Sequence, residues 1–258
     1  MEEKKYIEPI APKRVMTIHA HPDDQEVSIG GTVAKWAQAG SEIICVVVTN
    51  GEAGAGDEGN RDPAKNDAFK PHLIKMREGE QFAANKLLGV RETIFLGYPD
   101  GELVYSLELR KKITRLIRKY KPDVVICGDP TVRFYGSNYM NHPDHRVVAD
   151  VTIDAIFPSA GTRLMFTDLL KEGFEPHDVK KVFMHGTDKP DTWVDITDTI
   201  DLKIQALKAH TSQLFTDEVD KWLRGWGEED GTAAGVKYAE AYRVMILKED
   251  EPEKKLQE

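Results

Sequence analysis

Apolar positions in the first two thirds of the chain alternate between two periods. Arg14–Ala20 and the β-branched run Glu42–Thr49 (EIICVVVT) read as strands, the second apolar enough to be buried on both faces. Thr93–Leu96, Asp123–Cys127 and Lys180–His185 follow as three more strands. Between them the period lengthens to that of a helix. Gly30–Ala39 predicts a short helix ended by Gly40, and Leu73–Leu88 a second one ended by Gly89. Ser106–Tyr120 predicts an amphipathic helix carrying Leu109, Ile113, Leu116 and Ile117 on one side, with Ser106 as N-cap and Pro122 beyond its end. A further helix is expected over His145–Phe157. After Pro190 the pattern weakens: Asp198–Ser212 and Glu218–Trp226 read as helices, and Ala241–Leu247 fits a strand or a helix end equally well.

Strands alternating with helices predict an α/β fold, a mainly parallel sheet with helices on both faces. A single domain over residues 1–258 is expected, with roughly 1–12 and 248–258 as peripheral tails. Ligands of such sheets bind beyond the carboxyl ends of the strands. Two short clusters fall there. His21-Pro22-Asp23-Asp24 comes directly after the first strand, and His142-Pro143-Asp144-His145 lies on the loop after the fourth. Each places two potential ligands three residues apart and adds one spare carboxylate. Either cluster alone reads as a solvated turn. Brought together, they offer two imidazoles and a carboxylate to one cation and leave a position open for water, as a hydrolytic metal centre requires.

Composition narrows the field. The net charge of −9 and the absence of a basic stripe argue against nucleic acid as a partner. No apolar run approaches the roughly 18 residues that cross a bilayer, and the charged start Met1–Lys5 has no signal core. Cys45 and Cys127 lie inside strand-like runs and are expected as buried, reduced thiols, so a cytoplasmic location is expected. Gly54–Gly59 fits G-x-G-x-x-G, but it follows the second strand and carries Asp57 and Glu58 where a phosphate would sit. It is read as a mobile acidic loop at the cleft rim that acts as a lid.

Four segments, AHPDDQEVSIGGT (Ala20–Thr32), VTNGEAG (Val48–Gly54), FLGYPDGEL (Phe95–Leu103) and NHPDHR (Asn141–Arg146), resemble the PIG-L/LmbE family of zinc-dependent de-N-acetylases, in the family's order and over about Arg14 to Gln213. The resemblance implies a Rossmann-like three-layer fold and an N-acetylglucosamine-type substrate. It also implies Zn2+ (Fe2+ being an alternative for this ligand set) and a homo-oligomer, trimer or hexamer. It makes His21, Asp24 and His145 the metal ligands, Asp23 the general base, His142 the group that stabilises the oxyanion, and Asp144 the carboxylate that orients His142 and keeps it charged. Arg77, Asp100 and Glu52 match substrate-binding positions, although Arg77 reads equally as an exposed helical arginine beside Glu80 or Gln81, and Asp100 as a turn former. Two departures stand out: Gln25 intervenes where many members have Glu, with Glu26 next, and Met140 occupies a position that is Tyr in some members, with Tyr139 one place earlier.

Among the other histidines, His19 is expected as a core residue near the site and His210 beside the cleft; His72, His177 and His185 are read as ordinary surface or loop residues. Two rival readings share the ligand set: a non-haem iron oxygenase built on a two-histidine, one-carboxylate triad, and a non-enzymatic binding module that retains the metal.

Overall fold

The structure is a computed structural model and describes residues 6–8, 10–54, 63–213 and 218–249. Its sheet contains strands β1 (Tyr6–Ile7), β2 (Arg14–His19), β3 (Glu42–Thr49), β4 (Glu92–Tyr98), β5 (Val124–Gly128), β8 (Lys181–His185), β9 (Thr192–Asp195) and β10 (Ala239–Ile246), in the order β1-β9-β10-β8-β5-β2-β3-β4. A separate hairpin pairs β6 (Phe134–Tyr135) with β7 (Tyr139–Met140). From β8 to β4 every pairing is parallel; β10 enters antiparallel to both β8 and β9.

Seven α-helices are described: α1 (Asp24–Gln38), α2 (Pro63–Leu88), α3 (Leu107–Tyr120), α4 (Pro143–Asp154), α5 (Thr167–Lys171), α6 (Ile200–Lys208) and α7 (Val219–Ala234). Alternation along each strand separates two cores. Val15 and Ile43 face a layer with Ile29, Val33, Trp36, Ile204 and Leu207, on α1 and α6. Met16 and Ile44 face the opposite layer, with Leu109, Ile113 and Ile117 of α3 and Val148 and Val151 of α4. The result is the expected three-layer α/β/α arrangement.

Several boundaries differ from expectation for identifiable reasons. Helix α1 starts at Asp24, six residues before the Gly30-Gly31 pair that suggests a start. These glycines lie mid-helix because neighbours press on them: a Cβ on Gly31 would come within 2.8 Å of Ile196, and one on Gly30 within 3.1 Å of Lys203. Residues 63–70, read as part of a long loop, belong to α2; the G-x-G-x-x-G segment falls on residues 54–59, of which 55–59 lie outside the described residues. Residues 6–8 are no tail, since β1 pairs with β9, Glu8 N–H donates to Trp193 O at 3.0 Å, and the Glu8 carboxylate accepts from Lys181 at 3.0 Å. Of the segment 248–258, residues 250–258 lie outside the described residues. Helix α4 stops at Asp154 in a π-helical turn, with Phe157 in extended conformation before Pro158. Among the described residues no helix is long and apolar enough to cross a membrane.

Candidate metal centre

Strand order reverses between β2 and β5, the place where such sheets leave a crevice. The turn after β2 carries His21, Asp23 and Asp24; the segment after β5 passes through the β6–β7 hairpin and enters α4 with His142, Asp144 and His145. Because β2 and β5 are hydrogen-bonded neighbours, residues 124 apart in sequence meet: His21 Nδ1 lies 3.1 Å from His145 Nε2. Asp24 Oδ1 lies 3.1 Å from the same His145 nitrogen, and Asp24 Oδ2 lies 3.5 Å from His21 Nδ1.

These separations test whether an ion fits. Nitrogen and oxygen ligands held tetrahedrally about 2.1 Å from zinc stand about 3.4 Å from one another. The two ring nitrogens stand 3.1 Å apart and each has one Asp24 oxygen at 3.1 or 3.5 Å, close to that spacing, and His145, 34% exposed, borders the open side. A second grouping, His21 with His142 and Asp144, uses the other nitrogen of His21. There Asp144 is already committed, accepting from Gly101 N–H at 2.7 Å and Leu103 N–H at 3.3 Å. His21 Nε2 faces two carboxylates, Asp100 Oδ1 at 3.0 Å and Asp144 Oδ2 at 3.4 Å. One ring nitrogen at the ion and the other at a carboxylate is the usual way to fix a ligating imidazole. Burial alone would lower the His21 pKa, but Asp100, Asp144 and Asp24 together raise it to about 12. In the same cluster burial opposes Asp24 ionisation, and His145 and His21 overcome it and hold its carboxyl well below the ordinary range.

Asp23 sits at the N-terminus of α1 with φ 91°, a left-handed conformation unusual outside glycine. Two contacts hold it there. Its backbone N–H donates to Gln81 Oε1 at 2.9 Å, and its Oδ2 accepts from Arg77 Nη2 at 2.9 Å. Burial pushes the Asp23 carboxyl up to about 7, against the pull of Arg77 and with a further push from Asp24. Behind it runs a buried polar network. Gln81 Nε2 donates to Glu26 Oε1 at 2.9 Å, His210 Nε2 lies 3.3 Å from Glu26 Oε2, and Gln25 accepts from Thr17 and donates to Glu26 and Asn85. Gln25 thus supports the turn from inside, and His210 is buried against Glu26.

Several expectations are refined. Arg77 is neither exposed nor paired with Glu80. It is 3% exposed, and its guanidinium donates to Pro22 O at 2.7 Å and Gly51 O at 2.5 Å besides Asp23. Asp100 lies beside His21 and accepts from Ala53 N–H at 3.1 Å, and Glu52 accepts from Asp100 N–H at 3.2 Å, so both brace the loops around the site. Asp144 faces His21, so it does not hold the His142 ring. His142 Nδ1 accepts from Asp144 N–H at 3.3 Å, and burial and the neighbouring His21 lower its pKa, so it is a neutral imidazole with its proton on Nε2. His185 is no ordinary surface residue: it ends β8 beside the crevice, with its ring 5.3 Å from that of His19.

Gln81 and Glu26 are the positioning residues that sequence reasoning missed. Their signal is the apolar frame around them, since an uncharged amide and a carboxylate at fully buried positions need partners.

Comparison with known proteins places the chain in a family. The profile of the PIG-L family, described as GlcNAc-PI de-N-acetylase, matches residues 16–156. A diacetylchitobiose deacetylase of Thermococcus kodakarensis is 32% identical over 236 residues, 90% of this chain and 83% of that protein. A 1D-myo-inositol 2-acetamido-2-deoxy-alpha-D-glucopyranoside deacetylase of Kineococcus radiotolerans is 27% identical, over 91% of this chain and 78% of its own. The solved N,N'-diacetylchitobiose deacetylase of Pyrococcus horikoshii, in complex with its inhibitor MPG, superposes with a TM-score of 0.80 at 33% identity, covering 91% of this chain and 84% of that one. With the family profile, a relative of 32% identity and the fold all in agreement, the chain belongs to the PIG-L family of de-N-acetylases.

Proposed function

We propose that this protein hydrolyses the acetamide of an N-acetylglucosamine-type sugar or sugar conjugate, with Zn2+ held by His21, Asp24 and His145. The observation that carries the reading is the meeting of those three ligands at metal spacing beside a strained, buried carboxylate that ligates nothing. A binding protein has no use for Asp23 there, and an oxygenase is not favoured by relatives named as deacetylases.

When bound, the ion supplies a Lewis acid that polarises the amide carbonyl and acidifies water. Asp23 takes the proton of the attacking water at its carboxylate and passes it to the amine nitrogen as the carbon–nitrogen bond breaks. Arg77 and Gln81 keep that carboxylate aimed at the crevice. His142 donates from Nε2 to the oxygen that gains charge in the transition state, and as a neutral donor it gives up no proton. Asp100 and Asp144 hold the His21 ring so that Nδ1 faces the ion. Exposed Phe134, Tyr139 and Met140 on the hairpin beside the site support the further reading that several copies assemble, which light scattering measures.

The experiment is acetate release from N-acetylglucosamine, N,N'-diacetylchitobiose and the inositol and malate glycosides of N-acetylglucosamine, under anaerobic conditions. Release from at least one is expected. Absence of acetate from all of them, or turnover that requires oxygen, overturns the reading.

A further inference from the structure

A cavity of about 690 Å³ begins at Asp24 and His145 and extends below the carboxyl ends of β2, β5 and β8. Asp23, Arg77, Asp100 and His142 are not part of its lining. Most of its wall is apolar, with Ile18, Ala20, Val27, Val148, Ala239 and Ala241. Of the charged groups on it, Lys203 donates to Glu240 at 2.6 Å and one Asp129 oxygen accepts from Thr131, whereas Asp129 Oδ2 has no hydrogen-bond partner among the described residues and burial pushes the Asp230 carboxyl up to about 6. His19 and His185 also line it, each with a buried Nε2 that has no hydrogen-bond partner among the described residues.

The direction of the cavity assigns its occupant. Besides its carbonyl oxygen, the reacting amide carbon carries the nitrogen and the alkyl end of the acyl group, which point apart. The nitrogen must lie within hydrogen-bond reach of Asp23, which protonates it. The acyl group therefore points away from Asp23, toward the side bounded by Asp24 and His145, where the cavity begins. An acetyl methyl needs about the space of one water, ~30 Å³. The cavity is far larger and falls within the ordinary size of small-molecule sites.

We propose that this cavity receives the acyl group, and that the protein removes N-acyl chains longer than acetyl from its amino sugar. The proposal rests on the de-N-acylation reading above and extends it. The step is the same hydrolysis: water adds to the amide carbon, the carbon–nitrogen bond breaks, the fatty carboxylate stays on the cavity side, and the proton goes through Asp23 to the free amine.

The test measures free amine from N-acetyl-, N-butyryl- and N-hexanoylglucosamine with the intact, zinc-loaded protein. Burying one more methylene in an apolar site is worth roughly fourfold, so kcat/KM is expected to rise from acetyl to butyryl and to hold for hexanoyl. Ala241→Phe narrows the cavity on β10, and Ser28→Leu narrows it from α1. Either variant is expected to keep acetyl turnover and to lower the butyryl-to-acetyl ratio by roughly tenfold or more; the second covers failure of the first to fold. Amine from N-acetylglucosamine with none from the longer amides overturns this inference and leaves the function reading standing, as do narrowed variants that fold and keep the wild-type ratio. No amine from any of the three, acetyl included, overturns the sugar reading and this inference together.

Discussion

Asp23 holds a backbone angle that an L-residue adopts at a cost, and its neighbours hold it there. The side chain is thereby placed next to the His21, Asp24 and His145 group without being part of it. Asp23→Ala is expected to retain the metal and to lose turnover by roughly 10²–10⁴-fold, the usual worth of a positioned base; near-normal turnover, read beside the metal content, removes Asp23 from the chemistry. Arg77 acts on the same group through charge. A base works unprotonated, so kcat/KM falls as pH drops through the Asp23 pKa. Arg77 holds that pKa down, so Arg77→Gln is expected to move the acid limb to higher pH by about one unit. A bound dication lowers the Asp23 pKa in both proteins and leaves the direction of the difference intact. An acid limb that stays in place, or moves down, contradicts the contact. Gly51 makes room for this arginine: it has φ +69°, and a Cβ there would meet the guanidinium at 2.5 Å.

At the scale of elements, α1 carries Asp24 at its start and is locked to β10 through its middle. Glu240 accepts from the backbone N–H groups of Gly31 and Thr32 and from Lys203 of α6, and Tyr242 donates to Thr32. Both members of the Lys203–Glu240 pair are almost fully buried, so removing one leaves a charge without its partner. Lys203→Met is expected to destabilise the fold by on the order of 3 kcal/mol, read as a lowered urea midpoint; an unchanged midpoint means that the remaining donors satisfy Glu240 by themselves. The strands and helices differ in how openly the sequence declares them. Glu42–Thr49 is found at both ends as expected because a run of β-branched residues buried on two faces has no competing reading. Ser106 caps α3 as its hydroxyl predicts, accepting from Leu109 N–H at 3.1 Å. Strand β9 has only four residues, Thr192–Asp195, and carries no period to detect, and the two-residue β1 exists only by pairing with it. The start of α1 was hidden because tertiary contact overrides the reluctance of two glycines.

Across the whole molecule, the switch in strand order converts two local motifs into one site. The ligand triad was legible because each motif is short, and the rule about strand ends says where both must lie. The roles of Asp100, Asp144, Glu52 and Arg77 were not legible in the same way. Each depends on which neighbour its side chain meets across loops from different strands, and spacing along the chain carries no record of that. The lowered pKa of His142 has a related reason: its neighbours in sequence suggest a carboxylate partner, and its neighbours in space include another imidazole.

The account rests on one ion shared by His21, Asp24 and His145, and elemental analysis of the purified protein measures it directly. One divalent ion per chain is expected in the wild type, with loss of that ion and of acetate release in His145→Ala while the fold, followed by circular dichroism, is kept. A folded His145→Ala protein with the wild-type metal content contradicts the account at its centre.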